Sequence, residues 1–330
     1  MTITVGFIAD RLSIRGTETI LWGYAHYNEI MLQNKSIIFV KNKGDDPNEE
    51  KYKDDNSPEA TEWFTSRFNE IYYCPPDTLE ELMIQKGVDV CFIELAGVQS
   101  DWVPSRVPSV LHCVFQPLQK GSVSTGISDC VSRGIIPVLP TIMPLHDTLD
   151  DMRDELNIPK NAVVFARYGG YHQFSIPYAK YAVKEVATNN SNIYFLFMNT
   201  DPFMEPMKNV IFLPGTRDLY KKRKFINTCD AYLHARIDGE TFGAAIGEFA
   251  MCNKNIITCR YQIDHHQYEH ISILGDKCIS YENKDHLVHI LENYHIYKKD
   301  MDDNGYYQYT PENVVPLFET FINQAINKNN

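Results

Sequence analysis

The 330-residue chain is poor in positive charge: 31 lysines and arginines face 43 aspartates and glutamates, for a formal net charge of −12. Proteins that track a phosphate backbone carry a basic footprint, so nucleic acid is excluded as the main partner. Cysteines are few and widely spaced. The eight of them, at 74, 91, 113, 130, 229, 252, 259 and 278, form no C-x-x-C pair. Several sit in apolar runs as small hydrophobes, and the expected compartment is a reducing cytosol. Long apolar runs are missing as well. A stretch such as Ile37-Ile38-Phe39-Val40 falls far below the ~20 residues that cross a bilayer. The segment from Ile3 to Ala9 lacks the basic flank and cleavage pattern of a signal peptide and reads as a first strand. No G-x-G-x-x-G, P-loop or G-x-S-x-G occurs, so dinucleotide oxidoreductase, P-loop kinase and α/β-hydrolase readings lose their main supports.

What is present is a globular composition, with 44% hydrophobic and 22% charged residues, over a length that at roughly 150 residues per domain points to two domains. The first half alternates: strand 3–9, helix 19–32, strand 36–40, helix 58–69, strand 70–73, helix 77–86, strand 88–95 and strand 110–115. Strand, helix, strand in this order means a parallel sheet with right-handed crossovers. Residues 41–59 are almost devoid of apolar side chains and read as a solvated loop or flap. Pro137, Pro140 and Pro144 fall within eight residues and mark an interdomain connection. Alternation then restarts: strand 162–167, helix 173–188, strands 193–198 and 210–213, helix 217–228, strand 230–235, helix 243–252 and strand 255–259. A strand 277–280, a helix 284–298, a polar turn 300–305 and a last amphipathic helix 311–326 complete the chain. The expected boundaries are 1–143, 144–310 and 311–330. Two such sheets facing each other would create a central cleft, the usual ligand site of the class.

The most informative segment runs from Asp238 to Thr258. A glycine-containing loop after a strand leads into a helix and then another strand, with Glu240 and Glu248 eight residues apart. That spacing puts one carboxylate at the helix start and the other about one and a half turns inside. The unpaired N–H groups of the start, at Gly243 and Ala244, suit a diphosphate. The text E-T-F-G-A-A-I-G-E-F-A-M-C-N-K-N-I-I resembles the E-G-F-G-x-x-x-x-E-A-M-A-x-G-x-P-V-I signature of GT-B glycosyltransferases of family 4, the glycosyl transferases group 1 type. It keeps both glutamates and the Phe242-Gly243 pair. In that family the first glutamate contacts donor-sugar hydroxyls near the reacting carbon and the second holds the nucleotide ribose, and the resemblance implies these roles for Glu240 and Glu248.

Further segments are similar to the same family. Val163 to His172 resembles its V-x-x-x-G-R-x-x-x-x-K-G stretch, whose arginine and lysine neutralise the diphosphate. Arg167 keeps the guanidinium fork, while His172 stands at the lysine position, where it would act as imidazolium or leave the role to Gly169-Gly170. Arg15-Gly16-Thr17-Glu18 resembles the G-G-x-E turn with one glycine retained, placing Gly16 and Thr17 near the donor. His112, at the end of the strand from Val110, is similar to the family histidine that contacts the donor sugar; its ordinary reading is a satisfied core histidine. Pro214-Gly215-Thr216-Arg217 resembles the loop lining the base.

The resemblance implies an α/β GT-B fold: two Rossmann-like doubly wound domains facing a central cleft, the C-terminal helix returning to the N-terminal domain. It implies a retaining glycosyltransferase that takes a nucleotide-sugar donor, UDP-sugar before GDP-sugar, and a saccharide or lipid-linked acceptor. The donor is a substrate, so no cofactor is called for, and no metal is required. Asp54-Asp55, Asp150-Asp151 and Asp302-Asp303 lack a metal-binding strand-end setting, and His265-His266 with His270 lacks a legible fourth zinc ligand. Lys221-Lys222-Arg223-Lys224 reads as a solvated helix face and leaves peripheral contact with anionic headgroups open. The rival readings are a sugar-nucleotide epimerase or phosphorylase on the same fold, and a non-catalytic sugar-nucleotide-binding partner subunit. Oligomeric state has no signature here.

Overall fold

Each half of the chain alternates strand and helix until it has closed one parallel six-stranded sheet. The computed structural model describes residues 2–13, 16–41, 56–95, 103–144, 146–260 and 267–329. They divide into two compact units, 1–142 with 309–330, and 143–308.

In the first unit β1 (Thr4–Ala9), α1 (Gly16–Ile30), β2 (Lys35–Lys41), α2 (Pro58–Thr65), β3 (Ile71–Cys74), α3 (Pro76–Gln85), β4 (Val90–Leu95), β5 (Ser109–Cys113), β6 (Val123–Gly126) and α4 (Asp129–Ser132) build a sheet of order β3-β2-β1-β4-β5-β6. Val5, Phe7, Ile8, Ile38, Phe39, Val90 and Phe92 are all buried, as expected of parallel strands covered on both faces. One cover is the last helix, α11 (Pro311–Asn329). Its Val314, Phe318 and Ile322 join Phe7, Tyr24 and Phe92 in one core, with the Phe318 ring 5.0 Å from Tyr24 and 5.5 Å from Phe92. The C-terminal helix therefore returns to the first sheet, as expected.

The second unit contains β7 (Val163–Tyr168), α5 (Pro177–Asn189), β8 (Ile193–Met198), β9 (Val210–Leu213), α6 (Leu219–Thr228), β10 (Ala231–Leu233), α7 (Ala244–Ala250), β11 (Asn255–Cys259), α8 (Glu269–Leu274), β12 (Cys278–Tyr281), α9 (Lys284–Glu292) and α10 (Tyr294–Tyr297). Its order, β12-β11-β10-β7-β8-β9, repeats the first sheet's connectivity, with every pairing parallel. Both sheets are thus Rossmann-like and doubly wound.

Several segments differ from the sequence reading. β6 and α4 were not anticipated, because Val123–Gly126 carries one large apolar residue and sits at the sheet edge. The proline-rich stretch begins inside the first unit: Val138 bridges Gly126, and Leu139 and Ile142 belong to the first core. The helix expected at 284–298 breaks at Asn293, and α2 stops at Thr65, four residues short of the reading. Of the 41–59 flap, residues 42–55 lie outside the described residues, as do Arg15, His265 and His266.

Candidate functional site

In the second sheet the strand order reverses between β7 and β10, and in open α/β sheets the ground beyond the carboxyl ends at such a point is where ligands bind. The chain leaving β10 runs His234, Ala235, Arg236 and on to Glu240. Gly239, at φ +78°, makes the turn that L side chains resist. Glu240 is pinned by its backbone: its N–H donates to the Gln267 carbonyl at 2.7 Å, and its carbonyl accepts from the Glu269 N–H at 3.1 Å. Its carboxylate, 19% exposed, takes a hydrogen bond from Arg236 Nη1 at 2.9 Å on Oε2, while His234 Nε2 lies 3.4 Å from Oε1. Burial alone pushes this carboxyl up, but the neighbouring His234 imidazole and the Arg236 charge outweigh it and hold it at about 2. Behind it, His234 Nδ1 is 2.9 Å from Thr258 Oγ1, and Thr258 Oγ1 is 2.9 Å from His270 Nε2. Burial, with the neighbouring His234, keeps His270 well below the ordinary imidazole value.

The residues between the two glutamates serve mainly to pack. Phe242 is buried and its carbonyl accepts from the Tyr306 hydroxyl at 2.7 Å. Gly243 takes φ +81° as it enters α7, and Ala244 is the first, exposed residue of that seven-residue helix. Glu248 faces α6. Lys222 Nζ lies 2.7 Å from its Oε1, and its Oε2 is buried without a hydrogen-bond partner. The same ammonium stands 5.1 Å from the Tyr168 ring centroid, at the end of β7. Burial pushes Glu248 up to about 8; burial and the nearby Arg217 bring Lys222 down to about 7. Burial thus disfavours the charged form of both groups, and their 2.7 Å contact opposes it.

Arg167, on β7, is 3% exposed. Its Nη1 donates to Thr200 Oγ1 at 2.5 Å and its Nη2 to the Gly170 carbonyl at 2.9 Å. Burial lowers its guanidinium, and Tyr232 and Glu240 push it back up, so it shares a neighbourhood with Glu240. His172 is not brought to this cluster: its side chain is 81% exposed and its Nδ1 lies 3.5 Å from the Asp201 carboxylate. Gly215 packs where a Cβ would meet Asn199 Oδ1 at 3.0 Å, and Thr216 Oγ1 accepts from the Asp218 N–H at 3.2 Å, ordering the turn into α6.

In the first unit Gly16 opens α1 with open space around it, and the Thr17 hydroxyl donates to Glu18 Oε2 at 2.9 Å. The buried Glu18 also accepts from the Ser13 hydroxyl at 2.8 Å. His112 is wholly buried; its Nε2 lies 2.8 Å from the Leu139 carbonyl, which can only accept, so this nitrogen carries the proton. Its Nδ1 is 3.8 Å from Glu94 Oε1, and neither that nitrogen nor either Glu94 oxygen has a hydrogen-bond partner. Burial pushes Glu94 well above the usual carboxylate value, with Glu18 adding to it, and lowers His112 to about 4 against the pull of the Leu139 bond. Among the described residues no three His, Cys, Asp or Glu side chains are placed to hold a metal ion, and no helix is long and apolar enough to cross a membrane.

No protein family matches the chain by sequence, and no curated protein does. Solved structures do match. A glycosyltransferase from Rickettsia africae ESF-5 is similar with a TM-score of 0.63 at 11% identity, over 99% of this chain and 97% of that one. HepE of Anabaena, in complex with UDP and glucose, gives a TM-score of 0.68 at 10% identity, over 97% of this chain and 99% of that one. The chain has the GT-B glycosyltransferase fold. WaaG, a glycosyltransferase involved in lipopolysaccharide biosynthesis, shares this GT-B fold with a TM-score of 0.61 at 11% identity, over 97% of this chain and 98% of that one.

Within the GT-B frame, sequence reasoning missed Lys222, Glu94 and the His234, Arg236, Thr258 and His270 network. By sequence Lys222 reads as part of a solvated charge run. The structure corrects this: it lies at helical spacing from Phe225, Ile226 and Cys229, all buried, and that i, i+3, i+4, i+7 pattern was the available signal. His234 and Arg236 follow directly on the strand that precedes Glu240, a strand-end position that marks candidates as well as the motif does.

Proposed function

We propose that the protein is a glycosyltransferase that moves a sugar from a nucleotide-sugar donor, a UDP-sugar first and a GDP-sugar second, to a saccharide or lipid-linked acceptor. What supports this reading is an ionised Glu240 that shares its neighbourhood with the buried Arg167 beyond the reversal point of the second sheet, followed on α7 by Glu248 with one unpartnered oxygen. HepE, with the same fold, holds UDP and glucose, which supports a uridine donor. In this reading Glu248 accepts hydrogen bonds from the ribose hydroxyls and Glu240 from the transferred sugar. Arg167 lends its positive charge toward the diphosphate, and the 215–216 turn lines the base.

Glu240 has no proton to give at neutral pH. It orients the sugar and favours positive charge growing at C1 as the bond from C1 to the diphosphate oxygen breaks and its electron pair leaves with the diphosphate. The acceptor hydroxyl forms the new C1–O bond and loses its proton to the departing diphosphate oxygen. Transfer with retention, on the same face of the sugar, agrees with that route.

A thermal-shift series with UDP, GDP and ADP, followed by donor turnover, tests the reading. UDP raises the melting temperature of the native protein, and Glu240→Gln lowers donor turnover about 100-fold while UDP still binds. No stabilisation by any nucleotide overturns it. The exposed His172 and the engagement of Arg167 by its own loop favour a second reading, a nucleotide-sugar-binding subunit without turnover. Binding with no transfer, hydrolysis or donor isomerisation would select it; an isomerised donor would select an epimerase.

A further inference from the structure

Glu240 is a charged group in a site that burial makes hostile to charge, and Arg236 accounts for only one of its oxygens. The other faces His234 Nε2 at 3.4 Å, close enough to pair electrostatically but without hydrogen-bond geometry. An ionised carboxylate only accepts hydrogen bonds, so the proton on this contact belongs to Nε2. In the neutral ring Nδ1 is then an acceptor, and the Thr258 hydroxyl, 2.9 Å away, must donate to it. That spends the single hydroxyl proton of Thr258. The remaining contact, His270 Nε2 at 2.9 Å, can only run from the imidazole N–H to Thr258 Oγ1. Two imidazoles with centroids 4.8 Å apart, both buried, do not readily share the site as two cations. With His234 neutral each donor direction follows from the previous one, whereas a doubly protonated His234 would donate from Nδ1 to Thr258 and reverse the order.

We propose that His270, Thr258 and His234 form a directed relay of positioning residues that fixes His234 as its Nε2–H tautomer, so that Glu240 stays ionised and aimed. What Glu240 is aimed at, the hydroxyls of a donor sugar, rests on the glycosyltransferase reading; the relay itself does not. Among the described residues, the charged and titratable groups around Glu240 are His234 and Arg236 from the segment after β10, Asp238 beside Arg236 at 3.8 Å, His270 from α8, and Arg167 and Tyr232 from β7 and β10. Of these, only His234 reaches Glu240 Oε1 through a chain that one isosteric change cuts, Thr258→Val.

The test is histidine-selective 15N NMR of the full chain, with the Glu240 carboxyl followed by 13C and assigned by its loss in Glu240→Gln. The wild type should show His234 as the neutral Nε2–H tautomer and no Glu240 titration above about pH 3. In Thr258→Val the Glu240 midpoint should rise by about one unit or more, because the upward push of burial loses part of its opposition, and Thr258→Ser should restore the wild-type value. Donor turnover in Thr258→Val should fall about tenfold, more at low pH than at high, with UDP affinity within about twofold of wild type. A His234 in the Nδ1–H or doubly protonated form in the wild type overturns the relay, even if Thr258→Val does not fold. So does an unchanged Glu240 midpoint in a folded Thr258→Val. A wild type that turns over no nucleotide sugar sinks the functional reading alone, and the tautomer and midpoint still decide the relay.

Discussion

Lys222 Nζ and Glu248 Oε1 are 2.7 Å apart, with their side chains only 17% and 15% exposed. Burial drives each toward its neutral form, and direct contact is what makes the arrangement tolerable. Breaking such a pair from one side strands the other group, whereas replacing both by uncharged side chains relieves the desolvation. Lys222→Met and Glu248→Gln should each cost about 1–3 kcal/mol, and the double variant should recover most of that. Chemical denaturation of the four proteins at pH 7 measures the coupling. Additive losses would mean that the two groups are energetically independent.

Glu240 has the opposite pH signature. Its folded value, about 2, lies below the ordinary 4.5, so its contribution is fully present above the unfolded value and is lost as pH falls from about 4.5 toward 2. By linkage the full window is worth up to about 3 kcal/mol. Glu240→Gln should therefore be clearly less stable than wild type at pH 6, the gap should shrink to roughly half by pH 3, and it should close only near pH 2. Denaturation midpoints of the two proteins over that range provide the measurement; a gap that stays constant counts against the assigned charge state.

Gly247 lies within the motif, yet its role is spatial. A Cβ there would stand 2.5 Å from Tyr306 Cδ1 and 2.8 Å from Met143 Cε. Ring and chain would have to shift, and overpacking of this kind costs about 1–3 kcal/mol. Gly247→Ala should lower the melting temperature while the folded variant binds UDP with wild-type affinity. A full loss of binding with no loss of stability would reassign this glycine to the ligand.

The alternation of β-branched runs and helices made both sheets and most elements readable, since a buried parallel strand such as Ile193–Met198 is apolar along its whole length. Glu240 and Glu248 stood out because their spacing and strand-loop-helix setting are local in sequence. Thr258 and His270 did not, because the hydrogen bonds that link them to His234 are tertiary and leave no periodic trace. Lys222 failed for another reason. In a run of four basic residues, which one turns inward depends on the phase of α6, fixed by Phe225 and Ile226 packing into the core. His172 matched a position in a motif, but in the structure its side chain lies in solvent beside Asp201.

That divergence between Arg167 and His172 gives a paired prediction. Arg167 points two guanidinium nitrogens at different partners, one at Thr200 just past the end of β8 and one back at Gly170 in its own loop. A lysine carries the charge but, as a point donor on a flexible stem, cannot reproduce the fork. Arg167→Lys should loosen the 169–170 loop and weaken UDP binding about tenfold. His172→Ala, at a side chain 81% exposed, should leave the affinity within about twofold of wild type, since exposed ion pairs contribute little. Calorimetric titration of UDP into the three proteins checks both. If His172→Ala weakens binding as much as Arg167→Lys does, the imidazole swings onto the diphosphate when the nucleotide arrives, and the lysine position of the family motif is functionally filled after all.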